Sequence, residues 1–172
     1  EEFSKGWKSL DVVLDIPDDV VDLAEEFMEE NFDGAKKIVA IHVPVDRPEK
    51  QWPLEHFAVL ADLLLSDGRF EVLLTWGPGQ EDMVREVAAM AMRNPVIAPY
   101  TEGLKQYMAL LQQCELYFGG DTGPMHIASA LDIPIVSVFG GTNPEQHAPL
   151  RQPYRLLFPE EASGKSVAYL KA

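Results

Sequence analysis

Short apolar runs alternate with amphipathic ones along most of this chain, and that alternation constrains the fold more than any other feature. "KIVAIHV" (37–43), "FEVLLTW" (70–76), "PVIAP" (95–99), "ELYFGG" (115–120) and "PIVSVFGG" (134–141) are brief and rich in β-branched or aromatic residues. They read as strands covered on both faces. Between them, "LEHFAVLADLLLSDG" (54–68), "EDMVREVAAMAM" (81–92), "LKQYMALLQQC" (104–114) and "PMHIASALD" (124–132) carry apolar residues at helical spacing. A further helix, "IPDDVVDLAEEFMEENFDG", precedes the first strand, with Val20, Leu23, Ala24, Phe27 and Met28 on one face. This order predicts βαβ units, parallel pairing and right-handed crossovers, that is, an open doubly wound α/β sheet. Beyond residue 150 the pattern fades: "RLLF" reads as an edge strand, and "EEASGKSVAYLKA" as a weak helix or a tail.

At 172 residues and 47% hydrophobic, the chain suits one domain with a substantial core, taken as residues 1–172 with its centre at about 37–150. Its 14 Lys and Arg face 28 Asp and Glu, a net charge of −14 that disfavours nucleic acid and anionic membrane surfaces as partners. A local pocket can still hold phosphate against that field. Cys114 is the only cysteine, so neither an intrachain disulfide nor a cysteine-rich zinc site is available, and it reads as a buried small hydrophobe. With no signal pattern and no apolar run long enough to cross a bilayer, the expectation is a cytoplasmic protein without a transmembrane segment.

Open parallel sheets bind ligands at the carboxyl ends of their strands, so the loops that follow strands are the places to look. In "GGDTGPMHIASAL" (119–131), Gly119 and Gly120 permit positive φ and close approach. Asp121 and Thr122 are favoured N-caps, and Pro124 suits a first helical turn. Together with Gly123 they leave helix N–H groups free for an anion, for which phosphate is the natural guest. His126, about one turn in, is placed to donate to a phosphate or sugar oxygen. Turn chemistry alone does not separate such a cradle from an ordinary strand-to-helix connection.

In "WGPGQE", Gly77 and Gly79 bracket Pro78, and Glu81 either complements the helix dipole or accepts hydrogen bonds from vicinal ribose hydroxyls. Lys50, in "VDRPEKQWP", is a cation suited to a diphosphate, whereas Arg47 reads as a solvated charge. "FGGTNPEQHAP" adds Gly140, Gly141 and Thr142 as residues able to approach a ligand, with His147 as a plain loop residue.

Three segments in this order, "KQWP", "WGPGQE" and "GGDTGPMHIASALDIPIVSVFGGTNP", resemble glycosyltransferase family 9, which contains the lipopolysaccharide heptosyltransferases, in its C-terminal donor-binding domain. The resemblance covers about residues 37–150. It implies the second Rossmann-like half of a two-domain GT-B fold, binding a nucleotide-sugar such as ADP-heptose without a metal or other cofactor. It places Lys50 on the donor phosphates, Glu81 on the ribose, Thr122 and Gly123 at the diphosphate, and Asp121 and His126 at the sugar or its phosphate. Gly77, Gly141 and Thr142, on the same set of loops, are further candidates for donor contact. The acceptor, a lipopolysaccharide core, and the catalytic base belong to an N-terminal domain absent from these residues, so no catalytic residue is expected here and little turnover. The whole protein is expected in the cytoplasm, peripheral to the inner membrane. Two features depart from the family: Val43, Pro44 and Val45 stand where hydroxyl residues are common, and a cysteine-bearing C-terminal segment is missing. Two other readings compete, a flavodoxin-like receiver module with Asp121 as its acid and a nucleotide-sugar epimerase.

Overall fold

In a computed structural model of the chain, residues 14–140, 143–151, 153–158 and 169–170 are described. The predicted alternation is present. Helix α1 (Asp18–Asn31) precedes β1 (Lys37–His42), α2 (Leu54–Asp67), β2 (Phe70–Thr75), α3 (Glu81–Met90) and β3 (Val96–Ile97). The second half runs α4 (Leu104–Gln112), β4 (Leu116–Gly120), α5 (Gly123–Ala130), β5 (Ile135–Val138), α6 (Pro144–His147), β6 (Tyr154–Leu157) and β7 (Tyr169–Leu170).

The strand order is β3-β2-β1-β4-β5-β6-β7. β1 through β6 pair in parallel, and β7 alone is antiparallel. The chain therefore builds outward from β1 in one direction, then returns to place β4 on its other side. That reversal opens a crevice between the carboxyl ends of β1 and β4.

Burial explains why the strands look apolar throughout. Val39, Ala40 and Ile41 of β1 and Val72, Leu73 and Leu74 of β2 are each at most 1% exposed, because helices cover both faces of the sheet. α1 packs on α4, and α2 on α3 and β2. α2 stops at Gly68, whose φ of 81° is open to glycine at little cost.

Several boundaries and elements differ from the sequence reading. α1 ends at Asn31, short of Asp33-Gly34, because Phe32 turns into extended backbone and buries its ring. Loop 43–53 contains a 3-10 turn at Pro48–Lys50, and loop 139–149 contains α6. "RLLF" belongs to an interior strand, since β7 pairs with β6 on its outer side. Of the C-terminal stretch expected as helix or tail, Tyr169–Leu170 is a strand.

Candidate functional site

A cleft of about 630 Å³ lies at the reversal, lined by groups that include His42, Gly77, Gln80, Gly103, Thr122 and Gly123. Three helices begin at its wall. Gln80, Gly103 and Thr122 are the N-caps of α3, α4 and α5, and none makes a side-chain capping bond. Unpaired first-turn N–H groups and the positive ends of three dipoles thus meet around one cavity of an otherwise acidic protein. Gly77 lines the cleft, with its N–H donating to Gln80 Oε1 at 3.2 Å.

In the 119–123 turn, Gly119 and Gly120 are needed for space rather than for φ, whereas a Cβ on Gly123 would meet nothing within 4 Å. Gly34, Gly68 and Gly79 are the described glycines with positive φ, and Gly119 and Gly120 are not among them. A Cβ on Gly119 would stand 2.6 Å from the Tyr117 hydroxyl, and one on Gly120 would stand 2.7 Å from Val45 Cγ1. The loop after β1 therefore lies directly on the turn after β4. Gln51 holds that loop in place, donating from Nε2 to Val43 O (3.0 Å) and Trp52 O (2.9 Å) and accepting from Val45 N (3.2 Å). Of Val43, Pro44 and Val45 in this loop, the first two are buried and the third is partly buried.

Lys50 and Asp121 meet across the crevice, with Nζ 2.8 Å from Oδ2. Their side chains are 21% and 5% exposed. Neither side chain lines the 630 Å³ cleft; Lys50 lines a neighbouring cavity of about 370 Å³, with Trp52 and Gly140. Breaking the pair would leave a carboxylate in a confined site without its counter-ion, so a ligand that takes the ammonium must offer donors to Asp121.

Of the remaining candidates, Glu81 sits in the first turn of α3 with its carboxylate paired to Arg85 one turn on, and it does not line the cleft. His126 is exposed on α5, next to the cleft-lining Ile127. His147 is exposed in α6. Gly141 and Thr142 lie outside the described residues. Among the described residues no group of three His, Cys, Asp or Glu is placed to hold a metal ion. Cys114 is buried, which pushes its thiol up to about 12.

The sequence reading missed a polar cluster on the cleft. His42, the last residue of β1, is 4% exposed, and burial lowers its imidazole to about 3. Its Nδ1 lies 3.0 Å from Thr75 Oγ1 and 3.3 Å from Tyr107 Oη, and those two oxygens are 3.3 Å apart. The signal available was a histidine at a strand end, in the same position relative to its strand as the glycines of the 119–123 turn. The Trp76 indole N–H is likewise committed, donating to Ala98 O at 2.9 Å, and the ring meets Tyr100 at 5.9 Å.

Known proteins share both this sequence pattern and this fold. The chain matches the family described as glycosyltransferase family 9 (heptosyltransferase) over residues 6–171. It is 35% identical over 97 residues to lipopolysaccharide heptosyltransferase 3 of Escherichia coli, covering 55% of this chain and 28% of that protein. It is 32% identical over 117 residues to lipopolysaccharide heptosyltransferase 2 of Salmonella typhimurium, covering 64% and 32%. The chain thus spans about a third of the length of these curated relatives. A crystal structure of a family 9 glycosyl transferase from Veillonella parvula superposes with a TM-score of 0.80 at 26% identity, over 86% of this chain and 43% of that one. The E. coli heptosyltransferase WaaC with ADP superposes with a TM-score of 0.66 at 25% identity, over 79% and 42%.

Proposed function

Because the chain belongs to glycosyltransferase family 9, we propose that it is the donor-binding half of an inverting heptosyltransferase that takes ADP-heptose and extends a lipopolysaccharide core. The carrying observation is the convergence of three uncapped helix N-termini, with the Lys50–Asp121 pair alongside, at the point where the sheet reverses. The structure of WaaC with ADP supports the choice of nucleotide. We assign residues 1–172 to one donor domain, with an acceptor domain elsewhere in the whole protein. That protein would work in the cytoplasm, peripheral to the inner membrane.

In this reading an acceptor hydroxyl attacks the anomeric carbon, and the bond from that carbon to the diphosphate breaks. The electron pair leaves with the nucleoside diphosphate, and the hydroxyl proton goes to a base in the other half. Charge grows on the departing phosphate, where Lys50 and the N–H groups at Thr122 and Gly123 stabilise it electrostatically. Asp121 exchanges Lys50 for sugar hydroxyls. Glu81 reaches the ribose once it leaves Arg85, with Gly77 beside it, and His126, Gly141 and Thr142 complete the donor contacts. The domain alone binds donor and turns over little, and no metal takes part. A receiver would need Asp121 grouped with other acids, whereas here it is paired with Lys50.

Calorimetry with ADP, UDP and GDP tests the reading, with ADP binding expected in the presence of chelator. Absence of ADP binding, or binding that vanishes when divalent metal is removed, would overturn it. Lys50→Ala should weaken ADP by roughly 10–100-fold, the range for loss of a charge-assisted hydrogen bond.

A further inference from the structure

The His42, Thr75 and Tyr107 cluster has no part in the scheme above, yet its hydrogen atoms can be counted. Nδ1 of His42, Oγ1 of Thr75 and Oη of Tyr107 lie 3.0, 3.3 and 3.3 Å from one another. Thr75 is fully buried, Tyr107 is 6% exposed, and neither hydroxyl has another hydrogen bond among the described residues.

A neutral imidazole carries one proton, on either nitrogen. If Nδ1 holds it, three protons share three atoms and only the two oxygens can accept. One hydroxyl proton then has no acceptor within the cluster and depends on whatever occupies the cleft that Tyr107 also lines, which is the costlier arrangement. If Nε2 holds the proton, Tyr107 donates to Thr75 and Thr75 donates to Nδ1. Both hydroxyl protons are then satisfied.

That count leaves Nε2–H as the imidazole's remaining donor. His42 lines the 630 Å³ cleft, and its Nε2 has no hydrogen-bond partner among the described residues. It is not among the sealed, unpartnered atoms either, so it is open to the cleft.

We propose that His42 is a ligand-binding residue, a neutral imidazole fixed by Thr75 and Tyr107 in the Nε2–H form, which donates one hydrogen bond to an oxygen of the bound nucleotide. The oxygen acceptor belongs to the ribose or the diphosphate. Three elements, β1, β2 and α4, hold the ring, so the donor is oriented before the ligand arrives. This rests on the nucleotide-binding reading above.

Long-range proton–nitrogen NMR on the full chain tests the assignment. In the free protein, Nδ1 of His42 should carry the shift of an unprotonated nitrogen and Nε2 that of a protonated one. Saturating ADP should move Nε2 and its proton while Nδ1 moves far less. A protonated Nδ1, or an Nε2 that does not respond to bound ADP, overturns the proposal and leaves nucleotide binding standing. If calorimetry on the same sample finds no ADP binding, the functional reading falls, and the His42 contact falls with it. As a second arm, His42→Phe should weaken ADP about tenfold, and His42→Gln, which keeps an N–H donor, should recover part of the loss. Equal affinity in His42→Phe also overturns the proposal.

Discussion

Replacing Gly119 and Gly123 separately by alanine distinguishes a tight contact from a merely local preference. The Cβ at Gly119 would press on the fully buried Tyr117, within 2.6 Å of its hydroxyl and 2.9 Å of Cζ. Urea denaturation should show a loss of about 1–3 kcal/mol for Gly119→Ala. Gly123 opens α5 with nothing within 4 Å of a Cβ, so Gly123→Ala should change stability by less than about 0.5 kcal/mol. His42 supplies a second residue-level outcome. Its imidazole titrates at about 3 in the folded chain, against 6.5 for an unperturbed histidine. Above pH 6.5 it is neutral in both states; as pH falls from 6.5 towards 3 the unfolded chain takes a proton that the folded chain refuses. Stability is therefore lost on acidification, with a slope approaching about 1.4 kcal/mol per pH unit from this group. In urea titrations from about pH 3.5 to about pH 7, His42→Gln should reduce the acid slope by about one proton. Lys50, Asp121 and the glycine turn were legible because their residue types announce charge or turn chemistry. His42 was not, since inside "KIVAIHV" it looks like one more strand position, and its partners lie on β2 and α4.

Among elements, α2 tests how firmly one residue ends a helix. Gly68 holds φ at 81° with open space around it, so Gly68→Ala meets no clash and isolates the backbone term. Thermal unfolding should show a loss of about 1–2 kcal/mol. The Asp67-Gly68 signal was readable because a left-handed cap depends on the residue at that position alone. α1 shows the opposite. Its pattern extends to Asp33-Gly34, but burial of Phe32 ends the helix earlier, and burial is decided by distant chain. β7 was unreadable for the same reason: a two-residue strand exists only because β6 offers an edge.

For the whole molecule, a net charge of −14 opposes the approach of an anionic nucleotide even though the cleft favours it. Raising ionic strength from about 0.01 to 0.15 M shortens the screening length from about 30 to 8 Å. In stopped-flow measurements the association rate of ADP should therefore rise with salt, against the usual trend for a phosphate site; a fall would show that Lys50 and the helix termini dominate at long range. The sheet's class and parallel sense followed from alternation alone. Its strand order did not, because hydrophobic pattern says which segments are strands and not which are neighbours. That order also governs how the chain is made. β1 finds β2 early, as Lys37 pairs with Phe70, but its other side waits for Val39 to pair with Leu116. A nascent chain halted on the ribosome before Leu116 therefore carries β1 as an open edge, with backbone N–H and C=O groups along Val39, Ala40 and Ile41 still unpaired on that side. Such an edge pairs readily with another copy of itself, so the interval between the syntheses of β2 and β4 is when this protein is most exposed to aggregation.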